Sequence, residues 1–433
     1  MRSSPARVLY PFGVPHRGVP RRGFSRRAST SGQSARPGKT GRGTPLFGAL
    51  NTHRALALAL LVWGVADGAP PTVTAPTEAG TVWRELTPYF SPPPELANEF
   101  GSYRSPLIFA DGRPVKTPAD WRLRRQEILD QWHKVMAPWP PLIEKPRIEF
   151  LETKRRESFT QKRVRVEIAP GQTADGYLLA PDSQGPHPAV LAVFYDAETS
   201  AGLGQGKNSQ WLDFAHQLTK RGFVTLSIGS PGSARSPNLG GAPCQPLSFL
   251  GYVAANGCNA LANLAEVDAR RIGIVGHSYG GKWAMFGSCL YEKFACAAWS
   301  DPGIVFDETR PNVNYWEPWY LGAEAGRQRT PGVPTKDNPR TGAYKQLVEA
   351  GHDLHELHAL MAPRPLLVSG GSEDPPERWR ALNHTIAVNR LLGYSDRVAM
   401  TNRKDHTPTM ESNQQIYAFF EQFLKPAAQP GTR

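Results

Sequence analysis

One pentapeptide constrains this 433-residue chain more than any other feature. Gly276-His277-Ser278-Tyr279-Gly280 directly follows the apolar run IGIV, which predicts a buried strand, and a predicted helix follows it. Strand, G-x-S-x-G and helix together predict a sharp turn that presents a serine hydroxyl for attack. The two glycines leave room for the strained backbone at Ser278. We therefore predict Ser278 as a nucleophile, with the backbone N–H of Tyr279 stabilising an oxyanion at the start of the helix.

A serine hydroxyl is a poor nucleophile until a base takes its proton. Where this turn carries a catalytic serine, the acid and then the histidine follow it along the chain. His406, in NRKDHTPT, is the only histidine after His384, which lies in a predicted helix. We predict His406 as the general base, the alternative being an ordinary histidine of a surface loop.

Two further groups are expected around this serine. Asp374 follows the apolar strand predicted at residues 365–371, which makes it a candidate for the acid, although it could instead cap the next helix. The second oxyanion donor should come from the loop after the strand predicted at 189–195. That loop reads YDAETS, so we predict the backbone N–H of Asp196 or Ala197.

The order of predicted elements indicates an α/β fold. A helix capped by Asp120 is predicted through about residue 135, and alternating polar and apolar residues predict antiparallel strands at 147–153, 162–168 and 176–180. Strands then alternate with helices, which indicates a mostly parallel central sheet with helices on both faces. The predicted strands are 189–195, 223–228, 271–275, 294–299, 365–369 and 397–401, and the helices are 209–220, 247–264, one after Gly280, and 411–424. An aromatic-rich insertion occupies residues 302–340, after the strand that follows the nucleophile helix.

The N-terminal segment differs sharply from the rest of the chain. Residues 1–66 hold eleven of the 50 Lys and Arg residues and no Asp or Glu, which leaves 39 basic and 38 acidic residues elsewhere. This segment therefore carries +11 of the net charge of +12, and the nearly neutral remainder does not indicate a nucleic-acid surface. An apolar run at 55–65, preceded by Arg54 and followed by small residues and proline, is typical of a secretory signal peptide.

These features divide the chain into three parts. We predict a basic disordered region with a signal peptide at 1–69, an N-terminal wrap with one helix at 70–145, and a catalytic domain at 146–433. The protein is then secreted or periplasmic, without stable membrane insertion after signal removal, because the apolar run is too short to span a bilayer. Nucleic-acid binding through a retained basic tail is the alternative interpretation.

The stretch from Arg270 to the C-terminus resembles the carbohydrate esterases of the α/β-hydrolase superfamily, particularly glucuronoyl esterases and acetyl xylan esterases. The resemblance rests on RRIGIVGHSYGGKWA, on HELHALMAPRPLLV and on the Leu391-Leu392-Gly393 segment, with looser similarity upstream to about Leu178. In those enzymes the turn reads G-x-S-x-x-G-K, which here is Gly276, Ser278, Gly281 and Lys282. The resemblance implies an α/β-hydrolase fold and a role for Lys282 in binding sugar hydroxyls.

The chain departs from this family at two positions. The family usually carries Arg directly after the nucleophile, where this chain has Tyr279. Some members place the acid after the strand that follows the nucleophile helix, and Asp301 in AAWSDPG matches that position. The acid is therefore Asp374 or Asp301.

Other side chains complete the predicted site. Trp316 and Trp319 in the insertion, beside Tyr315 and Tyr320, are candidates for contacts with sugar faces, or they simply pack the insertion onto the domain. His352, His355 and His358 lack the spacing of a metal site, and we predict a solvated helix face and no metal. The pairing of the four cysteines is left open.

We predict a serine esterase that cleaves acetyl or glucuronoyl esters of plant-type polysaccharide through a Ser-His-Asp triad and an acyl-enzyme, without a cofactor. The partner is a small-molecule or polysaccharide ester, and the oligomeric state is left open. One alternative is a peptidase or a dienelactone-hydrolase-like enzyme on the same fold, since fold does not fix substrate. The other is a non-catalytic carbohydrate-binding relative.

Overall fold

The computed structural model of this chain describes residues 85–206 and 209–425. The predicted signal peptide and the basic segment around it lie outside the described residues, as does the first part of the predicted wrap.

Within residues 85–206 and 209–425, nine strands form one sheet, in the order β1-β2-β3-β5-β4-β8-β9-β10-β11. The pairs from β1 to β5 are antiparallel, and every pair from β5 through β4 to β11 is parallel. A two-stranded hairpin, β6 and β7, stands apart from it. The strands are β1 Ile148–Arg156, β2 Phe159–Ala169, β3 Gln172–Pro181, β4 His187–Val193, β5 Val224–Ile228, β6 Gly232–Ser233, β7 Ser236–Pro237, β8 Val267–His277, β9 Cys296–Ser300, β10 Leu366–Gly370 and β11 Val398–Asn402.

Helices alternate with the parallel strands, as the sequence predicts. They are α1 Pro118–Met136, α2 Ala197–Ser200, α3 Phe214–Lys220, α4 Pro246–Ala262, α5 Tyr279–Leu290, α6 Gly342–Glu349, α7 Leu354–Ala359, α8 Trp379–Leu391 and α9 Met410–Leu424. Short 3-10 turns lie at Thr87–Phe90, Pro94–Leu96, Ser209–Trp211 and Pro376–Arg378. No helix within the described ranges has the length and apolar character needed to cross a bilayer.

The sheet has a packed core on each face. On one face, apolar side chains of α3 and α9, such as Phe214 and Phe420, pack together with Val190 and Leu367 of the strands. On the other face, α1, α4, α5 and α7 cover Leu191, Ile274 and their neighbours. The parallel strands are buried on both sides, which explains why they read as continuous apolar runs. The predicted α/β fold class is confirmed.

The start of α1 corrects one detail of the sequence interpretation. Thr117 is the N-cap, and its hydroxyl accepts a hydrogen bond from the N–H of Asp120 at 3.1 Å. The Asp120 carboxylate in turn accepts one from the N–H of Thr117 at 3.0 Å. Asp120 is therefore the third residue of a capping box and not the cap itself.

The carboxyl ends of β4, β8, β9, β10 and β11 lie along the same edge of the sheet, because these strands run parallel. Loops that leave this edge bring residues distant in sequence together, and the crevice there is where α/β sheets bind ligands. Ser278, Asp301, Asp374 and His406 all follow these strand ends.

Candidate active site

Ser278 lies on the sharp turn between β8 and α5, with φ 55° and ψ −112°. This left-handed backbone is rare for a residue with a side chain, and the surrounding packing has to hold it. A Cβ on Gly276 would lie 2.1 Å from the carbonyl oxygen of Gly280, and a Cβ on Gly280 would lie 2.1 Å from that of Val193. Both glycines of the motif are therefore required by close backbone approach.

His406 lies between β11 and α9, and its side chain is about one-third exposed. Its Nε2 is 2.8 Å from the hydroxyl oxygen of Ser278, although 128 residues separate the two. Its Nδ1 is 2.6 Å from a carboxylate oxygen of Asp301. A carboxylate at Nδ1 fixes the proton there and leaves Nε2 free to accept the serine proton.

Asp301 is fully buried and follows β9 directly, with φ 49°. One oxygen contacts His406, and the other accepts hydrogen bonds from the backbone N–H groups of Gly371 at 2.7 Å, Asp374 at 2.9 Å and Glu373 at 3.1 Å. Three backbone donors satisfy an anion that burial would otherwise destabilise. The structure thus brings Asp301, His406 and Ser278 into one hydrogen-bonded chain.

Asp374, the other candidate acid, does not contact the imidazole. Its carboxylate accepts hydrogen bonds from the N–H groups of Ile304 at 2.6 Å and Gly303 at 2.8 Å, in the loop that follows Asp301. Burial, together with the charge of Asp301, raises the pKa of Asp374 to about 7. The loops after β9 and β10 therefore hold each other through reciprocal hydrogen bonds, and of the two predicted acids it is Asp301 that orients the histidine.

His277 packs beside His406, and Lys282 bonds to the loop that follows Asp301. The His277 ring lies 4.6 Å from that of His406, and burial lowers its pKa well below the usual range, so it adds no charge beside the imidazole. The ammonium of Lys282 donates to the carbonyl oxygens of Pro302 and Asn312. Lys282 is buried, and burial lowers its pKa to about 8. The structure places Lys282 under the loop after Asp301, and its role in binding a sugar stays a prediction.

The two predicted oxyanion donors follow the ends of neighbouring strands, Tyr279 after β8 and Asp196 after β4. Tyr279 opens α5, where backbone N–H groups have no acceptor within the helix. Asp196 is the third residue after β4. Its carboxylate caps α2 by accepting a hydrogen bond from the N–H of Thr199 at 2.7 Å.

Comparisons with known proteins relate this chain to esterases. Residues 148–298 match the family model described as FrsA-like, an esterase family. No curated protein sequence matches the chain. A solved glucuronoyl esterase from Solibacter usitatus superposes with a TM-score of 0.59 at 17% identity, over 74% of this chain and 97% of its own.

Two further structures give similar values. A promiscuous CE15 esterase from a marine bacterial metagenome has a TM-score of 0.56 at 16% identity, over 74% of this chain and 97% of its own. A CE15 glucuronoyl esterase from Teredinibacter turnerae has a TM-score of 0.54 at 19% identity, over 74% and 88%. The chain has the α/β-hydrolase fold. The family match further supports a hydrolase of carboxylic esters.

The aromatic insertion of this chain contains both buried and accessible rings. Trp316 is only 1% exposed and packs edge-on against Tyr344, so it offers no surface to a substrate. Trp319 is half-buried, and the guanidinium of Arg235 lies 5.5 Å from its ring centre. Of the two predicted sugar contacts, only Trp319 has surface left for one.

The three histidines that the sequence places on a solvated helix face are buried in the structure. His352, His355 and His358 are all buried, so the predicted solvated helix face is wrong. The reason is that α7 packs among α1, α5 and α8 and exposes no face. His352 pairs with Glu356 at 2.7 Å, and Nε2 of His355 donates to the carbonyl oxygen of Arg104. Within residues 85–206 and 209–425, no group of three metal-ligating side chains converges.

Sequence reasoning missed Arg403. Its guanidinium donates to the carbonyl oxygens of His406 at 2.6 Å, Ser369 at 2.8 Å and Thr407 at 3.1 Å, and so ties the histidine loop to the end of β10. Only its position three residues before His406 could have drawn attention to it. Nothing else in the sequence distinguishes Arg403 from the other arginines of the chain.

Proposed function

We propose that this α/β-hydrolase cleaves carboxylic esters with Ser278 as nucleophile, His406 as general base and acid, and Asp301 as the orienting carboxylate. The observation that carries the proposal is the pair of hydrogen bonds at His406, 2.6 Å to Asp301 and 2.8 Å to Ser278. Nucleophile, base and orienting group within hydrogen-bond reach of one another are the signature of covalent catalysis.

The reaction proceeds in two halves. The Nε2 atom of His406 takes the proton of Ser278 as the hydroxyl oxygen attacks the ester carbonyl, and the backbone N–H groups of Tyr279 and Asp196 stabilise the oxyanion. His406 then returns the proton to the leaving alcohol, and an acyl-enzyme remains. Water, deprotonated by the same imidazole, releases the acid and restores Ser278.

We further propose that the ester is borne by a carbohydrate, as a glucuronoyl or acetyl group of plant-type polysaccharide. The motifs around Ser278 and Lys282 and the solved glucuronoyl esterases support this substrate class. The partly exposed ring of Trp319 is a suitable surface for the apolar face of a sugar.

Serine replacement tests the chemistry. Ser278→Ala should abolish hydrolysis of 4-nitrophenyl acetate and labelling by a fluorophosphonate probe, with an unchanged melting temperature. Turnover retained in this variant would exclude Ser278 as the nucleophile.

A substrate panel tests the specificity. Acetylated xylan, a benzyl ester of glucuronic acid and a prolyl peptide are supplied to the wild-type protein under identical conditions. Release of acetate or glucuronate without peptide cleavage supports a carbohydrate esterase, and peptide cleavage alone would overturn it. Labelling by the probe separates an active hydrolase from a non-catalytic carbohydrate-binding protein.

We also propose export, on the strength of the basic, apolar and small-residue order around residues 54–69. Mass spectrometry of the mature N-terminus tests this: a start near residue 67 supports removal of a signal peptide, and an intact basic segment would contradict it.

A further inference from the structure

The first tyrosine after β4 stands beside the nucleophile. β4 neighbours β8 in the sheet, and its end approaches the serine turn so closely that Gly280 has no room for a side chain next to Val193. Two residues later, the Tyr195 ring stacks on the ring of Tyr279, with centres 4.7 Å apart and planes 19° from parallel. Tyr279 directly follows Ser278, so the stack sets Tyr195 against the reacting group.

The backbone of Tyr195 is held by the adjacent strand end. Its carbonyl oxygen accepts a hydrogen bond from the N–H of Ser230 at 3.2 Å, and the N–H of Phe194 donates to Ile228 at 3.3 Å. The position of the ring is therefore set by β5 as well as by Tyr279.

The hydroxyl of Tyr195 lies near the side chain of Ser278, and this proximity lowers the pKa of the phenol. Burial raises the pKa of Tyr195, which keeps the phenol protonated, and the contact with Ser278 opposes part of that rise. Neighbouring phenols are engaged elsewhere: Tyr279 bonds to the Ser230 hydroxyl at 2.7 Å, and Tyr315 donates to the carbonyl of Gly303 at 2.8 Å. Desolvation acts at the hydroxyl, whereas 47% of the surface of Tyr195 as a whole is exposed, so a substrate can reach the residue.

We propose that the Tyr195 hydroxyl is a catalytic hydrogen-bond donor, which binds the ester carbonyl oxygen as that oxygen becomes an oxyanion. The inference rests on the proposed ester hydrolysis and adds a side-chain donor to the backbone donors. As the bond from Ser278 to the carbonyl carbon forms, the carbonyl π electrons move to oxygen, and the serine proton passes to His406. The phenol keeps its own proton and stabilises the negative charge.

The guanidinium of Arg235, on the turn between β6 and β7, acts on the same phenol. Its charge lowers the pKa of Tyr195, which strengthens an O–H donor without ionising it. Arg235 and Tyr195 together make this rim of the site favourable to negative charge.

The test is Tyr195→Phe, which keeps the stacked ring and removes only the hydroxyl. We expect kcat for 4-nitrophenyl acetate to fall about 10²- to 10³-fold, as for loss of one oxyanion donor. KM should change less than about twofold, because the interaction strengthens only in the transition state. The matched control is Tyr177→Phe, which removes a phenol on β3 that bonds to Glu198 at 3.2 Å and should leave kcat unchanged.

Leaving-group dependence separates this role from proton donation. An oxyanion donor acts before the alcohol departs, so the loss should be equal for 4-nitrophenyl and ethyl acetates. A loss confined to the ethyl ester would instead identify a proton donor to the alcohol and overturn the proposal, as would an effect on KM alone or an unchanged kcat.

The rate of fluorophosphonate labelling distinguishes this proposal from the proposed function. If the wild-type protein is labelled at Ser278 and Tyr195→Phe is labelled equally fast, the esterase assignment stands and the tyrosine role fails. If the wild-type protein is neither labelled nor active on esters, both fail. Slower labelling of Tyr195→Phe, with an unchanged melting temperature, supports the tyrosine role.

Discussion

At the scale of single residues, Asp301 and Asp374 make different contacts, although the sequence made both candidates for the acid. Both are fully buried at neighbouring strand ends, and each accepts backbone N–H groups from the other's loop. Only Asp301 also reaches the imidazole of His406. This geometry supports the proposed role of Asp301 as the orienting carboxylate, whereas Asp374 bonds to the loop that follows Asp301.

These different contacts predict different effects for Asp301→Asn and Asp374→Asn. Asp301→Asn turns an N–H group toward Nδ1 of His406, so the imidazole carries its proton on Nε2 and cannot accept one from Ser278. We expect kcat to fall roughly 10³- to 10⁴-fold. Asp374→Asn should reduce kcat less than about tenfold while costing about 1–3 kcal/mol of stability, because one N–H loses its acceptor. Steady-state kinetics with urea unfolding measures both, and the reverse pattern would assign Asp374 as the acid.

The stability of the protein should depend on pH through Asp374. Folding raises the pKa of this group from 3.8 to about 7, so its contribution is fully present below pH 3.8 and is lost as the pH rises through about 7. Asp374→Asn removes this titration, and its free energy of unfolding should fall less than that of the wild type between pH 4 and pH 8. Asp353, also raised to about 7, is common to both proteins and cancels. Parallel pH profiles would contradict the assignment.

The sequence predicted Ser278 and His406 because their types, order and surrounding elements were each distinctive. It left the acid open because both aspartates follow buried strands, and the difference depends on which backbone N–H groups surround each one. Burial of Trp316 and Lys282 depends in the same way on how a long insertion folds back, for which the sequence carries no periodic signal.

At the scale of elements, the turn between β8 and α5 is tightly packed against neighbouring backbone. The position of Ser278 depends on contacts among β4, β8 and α5 that leave no space for a methyl group. Strand ends and helix starts that meet in this way fix the direction of the hydroxyl before any substrate arrives.

A single methyl group should therefore disrupt the turn. Gly276→Ala would put a Cβ 2.1 Å from the Gly280 carbonyl oxygen, and we expect a loss of about 3 kcal/mol or more together with loss of ester turnover. Gly206→Ala is the control, since its Cβ would meet nothing within 4 Å. Melting temperature and 4-nitrophenyl acetate turnover measure both effects. Full activity and an unchanged melting temperature in Gly276→Ala would disagree with the geometry.

The elements themselves were largely predictable from the sequence. Continuous apolar runs located the parallel strands to within a few residues, since burial on both faces demands such runs. The predicted strand at 189–195 ends at Val193 in the structure, and this leaves Tyr195 in the loop where it meets Ser278. The prediction that α7 is exposed was wrong because its six residues pack against three other helices. Histidine spacing does not indicate such tertiary contacts.

At the scale of the whole molecule, stability depends on packing without covalent links. All four cysteines are free and buried. Burial raises the pKa of the Cys244 thiol to about 11 and that of Cys258 to about 12, which suppresses their thiolates. The core on both faces of the sheet is extensive enough to make disulfides unnecessary.

Thiol titration should reflect this. In the native protein, Ellman's reagent should react with none of the cysteines within minutes, and with four after unfolding in guanidinium. The melting temperature should be the same with and without a reductant. A titre of two after unfolding, or a lower melting temperature in reductant, would indicate a disulfide.

The reciprocal bonding of the loops after β9 and β10 also bears on how a large ester enters. Neither loop can swing outward without stripping a buried carboxylate of its donors, so that wall of the cleft is rigid. The hairpin β6–β7, by contrast, has exposed residues in both of its strands. Evolution of substrate breadth is accordingly expected to act in and around the hairpin β6–β7, while a change at Asp301 switches turnover off.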